Sequence, residues 1–236
     1  MTNPSMESYP QLLSLAVHEF RTPISVVGGY LRMLQRDDNP ALEARHRKMV
    51  DEAEKSCARM VALINELSDI GKLDAGLLPV SRQPVDVFGL TADVAEHVHE
   101  AKDRNVQLGV RGASDRAMVS GDTTRLRTAF DAVFRAILRE KAGPATVVAE
   151  RRRDRIDGRT SAVIVVAEDT NVQDAYERAR EPFDEKRGGL GLALPLARRI
   201  FQSHGGGLFA PAAATPGSTD DPIARGSAIV ILPLTE

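Results

Sequence analysis

His18 and Glu19 sit side by side in the run LAVHEFRTPI (15–24), with Thr22 four residues beyond the histidine. In a helix, positions i and i+4 share a face, so the imidazole and the hydroxyl point the same way. An exposed imidazole is largely neutral near pH 7 and keeps a lone pair on one ring nitrogen. A carboxylate alongside can bond the other nitrogen, fix the tautomer and accept a proton, which leaves the first nitrogen as a nucleophile. A threonine hydroxyl on that face can orient a water. Pro23 removes one helical donor and crowds the preceding turn, at a cost of about 3 kcal/mol. The carbonyl it releases belongs to Glu19, so a bend is expected beside the histidine. Such strain is easier to account for at a working site than in a plain helix. A second stretch, GLGLAL (189–194), puts Gly189 and Gly191 at a helix start, where free amides can face a phosphate.

Two organisations must position these residues. Up to about Leu73 the pattern is helical. Leu13, Val17, Phe20, Ile24, Val27, Leu31 and Leu34 alternate spacings of four and three, as do Ala53, Cys57, Met60, Ile64 and Leu67. DDNP (37–40) reads as the turn between two antiparallel helices. His18 follows the seam residue Val17 and is turned roughly 100° from the buried stripe. A lone hairpin leaves part of each stripe wet, so a homodimeric four-helix bundle is expected. Cys57 falls on the seam and reads as a small core residue.

Gly76, Pro79 and Pro84 mark a boundary, giving a helical hairpin over 1–75 and a second domain over 76–236. There, strands are expected at NVQLGVRG (105–112) and in two hairpins. One is ATVVAERRR with SAVIVVAED, the other GGGLFAPAA with GSAIVILPL. Helices are expected over 123–140 and in LALPLARRIFQSH. The sum is α + α/β: the hairpin, then an α/β sandwich whose mixed sheet carries helices on one face. TPGSTDDPIARG (215–226) reads as a polar turn.

Composition narrows the function. With 42% apolar and 27% charged residues, the balance is that of a globular chain with cores to bury. No apolar run approaches the roughly 20 residues of a membrane span. MTNPSMESYP lacks the basic and apolar regions of a secretory signal. One cysteine excludes an internal disulfide and fits a reducing compartment, so a cytoplasmic location is expected. The net charge of −2 argues against nucleic acid as a partner. ERRRDR (150–155) is most simply a solvated edge or hairpin. Only about ten residues precede the first helix, so a sensor domain is not expected within this chain.

LAVHEFRTPISVVGGYLRML resembles the H-box of two-component sensor histidine kinases with the H-E-x-x-T-P pattern. The hairpin is similar to their dimerisation and phosphotransfer domain, and the second domain to their ATP-binding domain of Bergerat (GHKL) fold. The resemblance implies that His18 is the phospho-accepting nucleophile, Glu19 its general base, and Thr22 the residue that positions water when a partner is dephosphorylated. It also implies a response regulator receiver domain as partner, and ATP with Mg²⁺ as cofactors where the nucleotide site functions. Asp169 takes the place of the aspartate that receives the adenine amino group, and Gly189 and Gly191 belong to the second glycine box. EPF (181–183) matches the phenylalanine motif. GDTTRLRTAFDAVFRAILRE resembles the N-box helix, but Ala132 and Ala136 stand where asparagines are expected, the second of them a Mg²⁺ ligand. Asp131, about 100° around the helix, is no obvious substitute, so no metal ligand is assigned. After Asp169 the chain reads Thr170, Asn171, Val172 in place of the expected glycines. Only DEKR separates EPF from the glycine box, where a longer lid belongs, and Arg187 occupies the place of its first glycine.

These features define three readings. In the first, the chain moves phosphoryl groups from ATP through His18 to an aspartate of a response regulator. In the second, it is a histidine phosphotransferase or regulator phosphatase of the same architecture whose ATP site has degenerated. The third is a silent dimeric scaffold, which has no need of His18, Glu19 and Thr22 together.

Overall fold

A computed structural model describes residues 4–36, 43–79, 81–215, 218 and 220–235. The chain divides into two units, Met1–Leu78 and Pro79–Glu236. The first is a hairpin of two long helices, α1 (Pro4–Arg36) and α2 (Ala44–Asp74). The turn expected at 37–40 lies outside the described residues. The heptad seam is split in two. Val17, Cys57 and Ile64 are buried, with Ile24 and Leu31 half-buried beside them, while Phe20, Val27, Leu34 and Met60 are exposed. Alternate seam positions therefore serve the hairpin, and the others form an uncovered apolar strip. Cys57 is a core residue whose Sγ donates to the carbonyl of Ile24 at 3.2 Å. Gln35 Nε2 donates to Asp51 at 2.9 Å near the far end of the hairpin.

The second unit runs β1 (Gln83–Asp86), α3 (Val87–His97), α4 (Glu100–Asp103), β2 (Val106–Gly112), β3 (Met118–Gly121) and α5 (Thr123–Arg139). It continues with β4 (Ala145–Ile156), β5 (Arg159–Glu168), α6 (Val172–Glu177), β6 (Arg180–Pro182), α7 (Ala193–Ser203), β7 (Gly207–Pro211), α8 (Pro222–Arg225) and β8 (Ala228–Pro233). Six strands form one mixed sheet in the order β2-β4-β5-β8-β7-β6, and β1 pairs with β3. β2 and β4 run parallel and the other neighbours antiparallel. The expected α + α/β architecture, a helical hairpin followed by an α/β sandwich, is the one observed.

Caps explain where the main helices start. The Asp86 carboxylate accepts from Phe88 and Ala117 amides at 3.2 and 3.0 Å, tying α3 to the strand pair. Asp122 caps α5 by accepting from Arg125 N–H at 3.1 Å, and its own N–H donates to His204 Nε2 at 2.9 Å. α5 buries Leu126, Phe130, Val133, Phe134 and Ile137, and the Phe130 ring meets Phe201 of α7 edge-on at 5.2 Å. Residues 162–167 of β5 are all buried, so both sheet faces are covered. Helices were expected on one face only. The other face also carries a core, in which Val163, Val165, Ala167, Ile229 and Ile231 meet Val172 and Ala175 of α6. The expected polar turn at 215–226 contains α8, whose first turn Asp221 caps through Ile223 and Ala224 amides.

Candidate functional site

α1 presents His18, Glu19, Arg21 and Thr22 as exposed side chains, one position past the buried Val17. The 100° step per residue turns the imidazole off the packed face, and the four-residue spacing keeps Thr22 beside it. The helix continues through Pro23, which has no N–H to offer Glu19. Arg21 Nη2 reaches across the hairpin to Asn65 Oδ1 of α2 at 3.0 Å, a strut between the helices one turn from the histidine. What gathers here is an imidazole, a carboxylate and a hydroxyl in water. Such a set suits group transfer to a docked partner, because each group is reachable from outside.

The second group of expected site residues is arranged differently. Asp169 opens a single 3-10 turn, Asp169–Asn171, at the end of β5. Its carboxylate pairs with Arg111 of β2, two strands away across β4, and Arg111 also grips Glu150 at 2.6 Å. Asp169 is thereby engaged on the side of β5 away from β8. Gly189 and Gly191 are exposed in left-handed conformations, φ +58° and +67°, just before α7. Leu192, at the cap position of that helix, has no side-chain acceptor to offer its amides.

Ala132 and Ala136 are both buried in α5. Gly188, φ +64°, lies directly over Ala136: a Cβ built on it would stand 3.0 Å from Ala136 Cα. The Gly188 carbonyl accepts from Arg139 Nη1 at 3.2 Å, and its N–H points to a Glu140 carboxylate oxygen at 3.4 Å. Asp131 pairs with Arg135 at 3.5 Å; burial raises its carboxyl above the usual range, against the pull of that guanidinium. Among the described residues, no three His, Cys, Asp or Glu side chains gather as a metal set. Sequence reasoning noted Arg187 only as a missing glycine. It had no signal for Arg111, whose partner is brought near solely by strand order.

Residues 11–76 match the His Kinase A (phospho-acceptor) domain family. Over 221 residues, 89% of this chain and 44% of the relative, the sequence is 26% identical to the probable sensor histidine kinase TcrY of Mycobacterium tuberculosis. Over 222 residues, 88% of this chain and 24% of the relative, it is 27% identical to the sensor protein GacS of Pseudomonas syringae pv. syringae. The chain thus spans less than half the length of these curated relatives. Among solved structures, full-length ShkA in complex with AMPPNP is similar in fold, with a TM-score of 0.68 and 23% identity over 96% of this chain and 46% of that one. No helix among the described residues is long and apolar enough to cross a membrane.

Proposed function

We propose that the chain, whose residues 11–76 match a phospho-acceptor domain and most of whose length is similar to sensor histidine kinases, is a member of the two-component sensor histidine kinase family and relays phosphoryl groups through His18 to and from an aspartate of a response regulator receiver domain. The observation that carries this is His18 standing exposed on α1, beside Glu19 and one turn from Thr22, within the stretch that matches a phospho-acceptor domain. His18 attacks the phosphorus of an aspartyl phosphate with the lone pair of one ring nitrogen. The P–O bond to the aspartate breaks, a P–N bond forms, and the other ring nitrogen gives its proton to Glu19. The reverse sequence returns the phosphoryl group to a carboxylate. For dephosphorylation, Thr22 orients a water in line with the aspartyl phosphate, and inorganic phosphate leaves. The uncovered strip of Phe20, Val27, Leu34 and Met60 supports a homodimer, in which two hairpins bury these residues together.

Family kinship brings ATP and Mg²⁺ into consideration, yet the residues present fit a magnesium nucleotide poorly. The methyl of Ala136 cannot ligate a metal. Gly188 occupies the space an asparagine side chain would need there, and the Asp169 carboxylate is paired with Arg111. These observations favour the second reading, relay or phosphatase action without autophosphorylation. Receiver domains phosphorylated with acetyl phosphate, and γ-labelled ATP, test the two sources in parallel. Label is expected to reach the chain from a phosphorylated receiver and not from ATP; efficient labelling by ATP overturns this preference. Cytoplasmic location is part of the same proposal, since receiver domains and the single reduced cysteine belong there.

A further inference from the structure

We infer that Arg187 is a built-in latch: it holds the segment Arg187–Gly189 down on α5 and keeps nucleotide out of this end of the fold. The inference rests on the reading that His18 is not served by ATP, and it adds a held segment to the side-chain losses described above.

The latch is built from contacts a glycine cannot make. Arg187 Nη1 donates to the carbonyls of Ala224, Arg225 and Ser227 at 2.7, 3.0 and 3.4 Å. The first two belong to the end of α8, where helix carbonyls lack helical donors and carry partial negative charge. The guanidinium also lies over the Phe183 ring at 4.7 Å. Its contacts are neutral dipoles and a ring face, with Asp184 and Glu140 attracting it from further off, and burial lowers its proton affinity below the ordinary arginine range. β8 begins one residue after Ser227 and pairs with β5 as Val166 with Ala228. The latch therefore lands beside the end of β5, close in register to the turn that Asp169 opens.

The other end of the segment is fixed on α5. Arg139 and Glu140 hold Gly188 by its carbonyl and its N–H, and Glu140 also accepts from Arg225 Nη2 at 3.1 Å, so one carboxylate ties the segment and α8 together. Gly188 and Ala136 are matched in size: either one enlarged would push the segment away. A cavity of about 470 Å³ remains alongside, lined by Glu140, Asp184, Lys186, Arg187, Gly188 and Arg225. Without the guanidinium, the segment loses its hold on α8 and that cavity, which Pro182 of β6 and Ala210 of β7 also line, can widen.

The test compares the full chain with Arg187→Gly, and with Arg187→Met, which keeps the bulk but none of the donors. Hydrogen exchange of the peptide covering 184–192 is read beside calorimetric titration with metal-free ADP, since Ala136 offers Mg²⁺ no ligand. In the native chain, slow exchange and no ADP heat are expected. In both variants, exchange of that peptide should rise about tenfold or more while β4 and β5 stay protected, and ADP binding should appear. Unchanged exchange in the variants overturns the latch. Released segments that still ignore ADP, or ADP binding to the native chain, overturn the exclusion. Transfer from a phosphorylated receiver to His18, measured on the same samples, reports separately on the proposed function. Its loss in the native chain condemns that reading and not the latch.

Discussion

Truncating Phe20 to alanine tests the division of the heptad seam. Phe20 is 58% exposed although it sits in a regular apolar repeat, and Val27 and Leu34, one and two heptads on, are 50% and 47% exposed. A phenylalanine side chain offers about 200 Å² to burial, so roughly 120 Å² stands uncovered in each hairpin. At about 25 cal/mol per Å², covering it stabilises association by ~3 kcal/mol per copy. Alanine keeps part of that contact and repacking recovers more, so roughly half is lost: ~1.5 kcal/mol per copy and ~3 kcal/mol per dimer. A two-fold axis counts every substitution twice. The dimer dissociation constant should therefore rise roughly a hundredfold. Sedimentation equilibrium of the native chain and Phe20→Ala measures this directly, with circular dichroism to confirm that both remain helical. Because Phe20 is not part of the buried hairpin contact, helicity is expected to survive. A dimer constant unchanged within a factor of three, or a native chain that stays monomeric, refutes the assignment of this strip to self-association.

Thr22→Ala should slow dephosphorylation of a bound receiver roughly tenfold, the value of one hydrogen bond to the attacking water, while leaving transfer onto His18 unaltered. Equal phosphate release by the two proteins removes the role given to Thr22. His204 supplies a pH dependence. Its Nε2 accepts from the Asp122 N–H, so that nitrogen carries no proton, and its Nδ1 donates to the Ile200 carbonyl at 2.7 Å. Burial lowers its pKa below the ordinary histidine value, helped by Arg82 and Arg125 and opposed by the Ile200 carbonyl and Asp122. Below about pH 6.5 the unfolded chain therefore binds a proton that the folded chain refuses. Stability from this site is complete above that pH and declines on acidification. Urea midpoints at pH 7.5 and 5.5 should fall in the native chain and fall less in His204→Gln; matching slopes in both proteins contradict the assignment.

The helical hairpin was legible because spacing alone reports a face: Val17, Cys57 and Ile64 are buried as their period requires. Spacing does not say which neighbour a face meets, so the seam did not divide itself into a hairpin half and an exposed half. The sheet is covered on two faces where one was expected, and the sequence carries the reason. AVIVVA (162–167) is an unbroken apolar run, the mark of a strand covered on both faces, and α6 with α8 provides the second cover. Asp221 followed by Pro222 likewise signals a helix start, lost in a segment judged only by its polarity. The pairing of Asp169 with Arg111 could not be read, since these residues meet only through the strand order β2-β4-β5. The end of the second unit that holds Ala132, Ala136 and Arg187 was legible only as departures from the family pattern. Gly188 lies over Ala136, held by Arg139 and Glu140 through long-range contacts that no local pattern carries.

The central claim is that one exposed imidazole carries the phosphoryl group. Incubating the chain with a labelled, phosphorylated receiver, then mapping the acid-labile phosphate by mass spectrometry, tests it most directly. The account predicts label on His18 and none on His18→Gln, since an amide is not a nucleophile. Label retained by the variant, or found on another residue of the native chain, contradicts it.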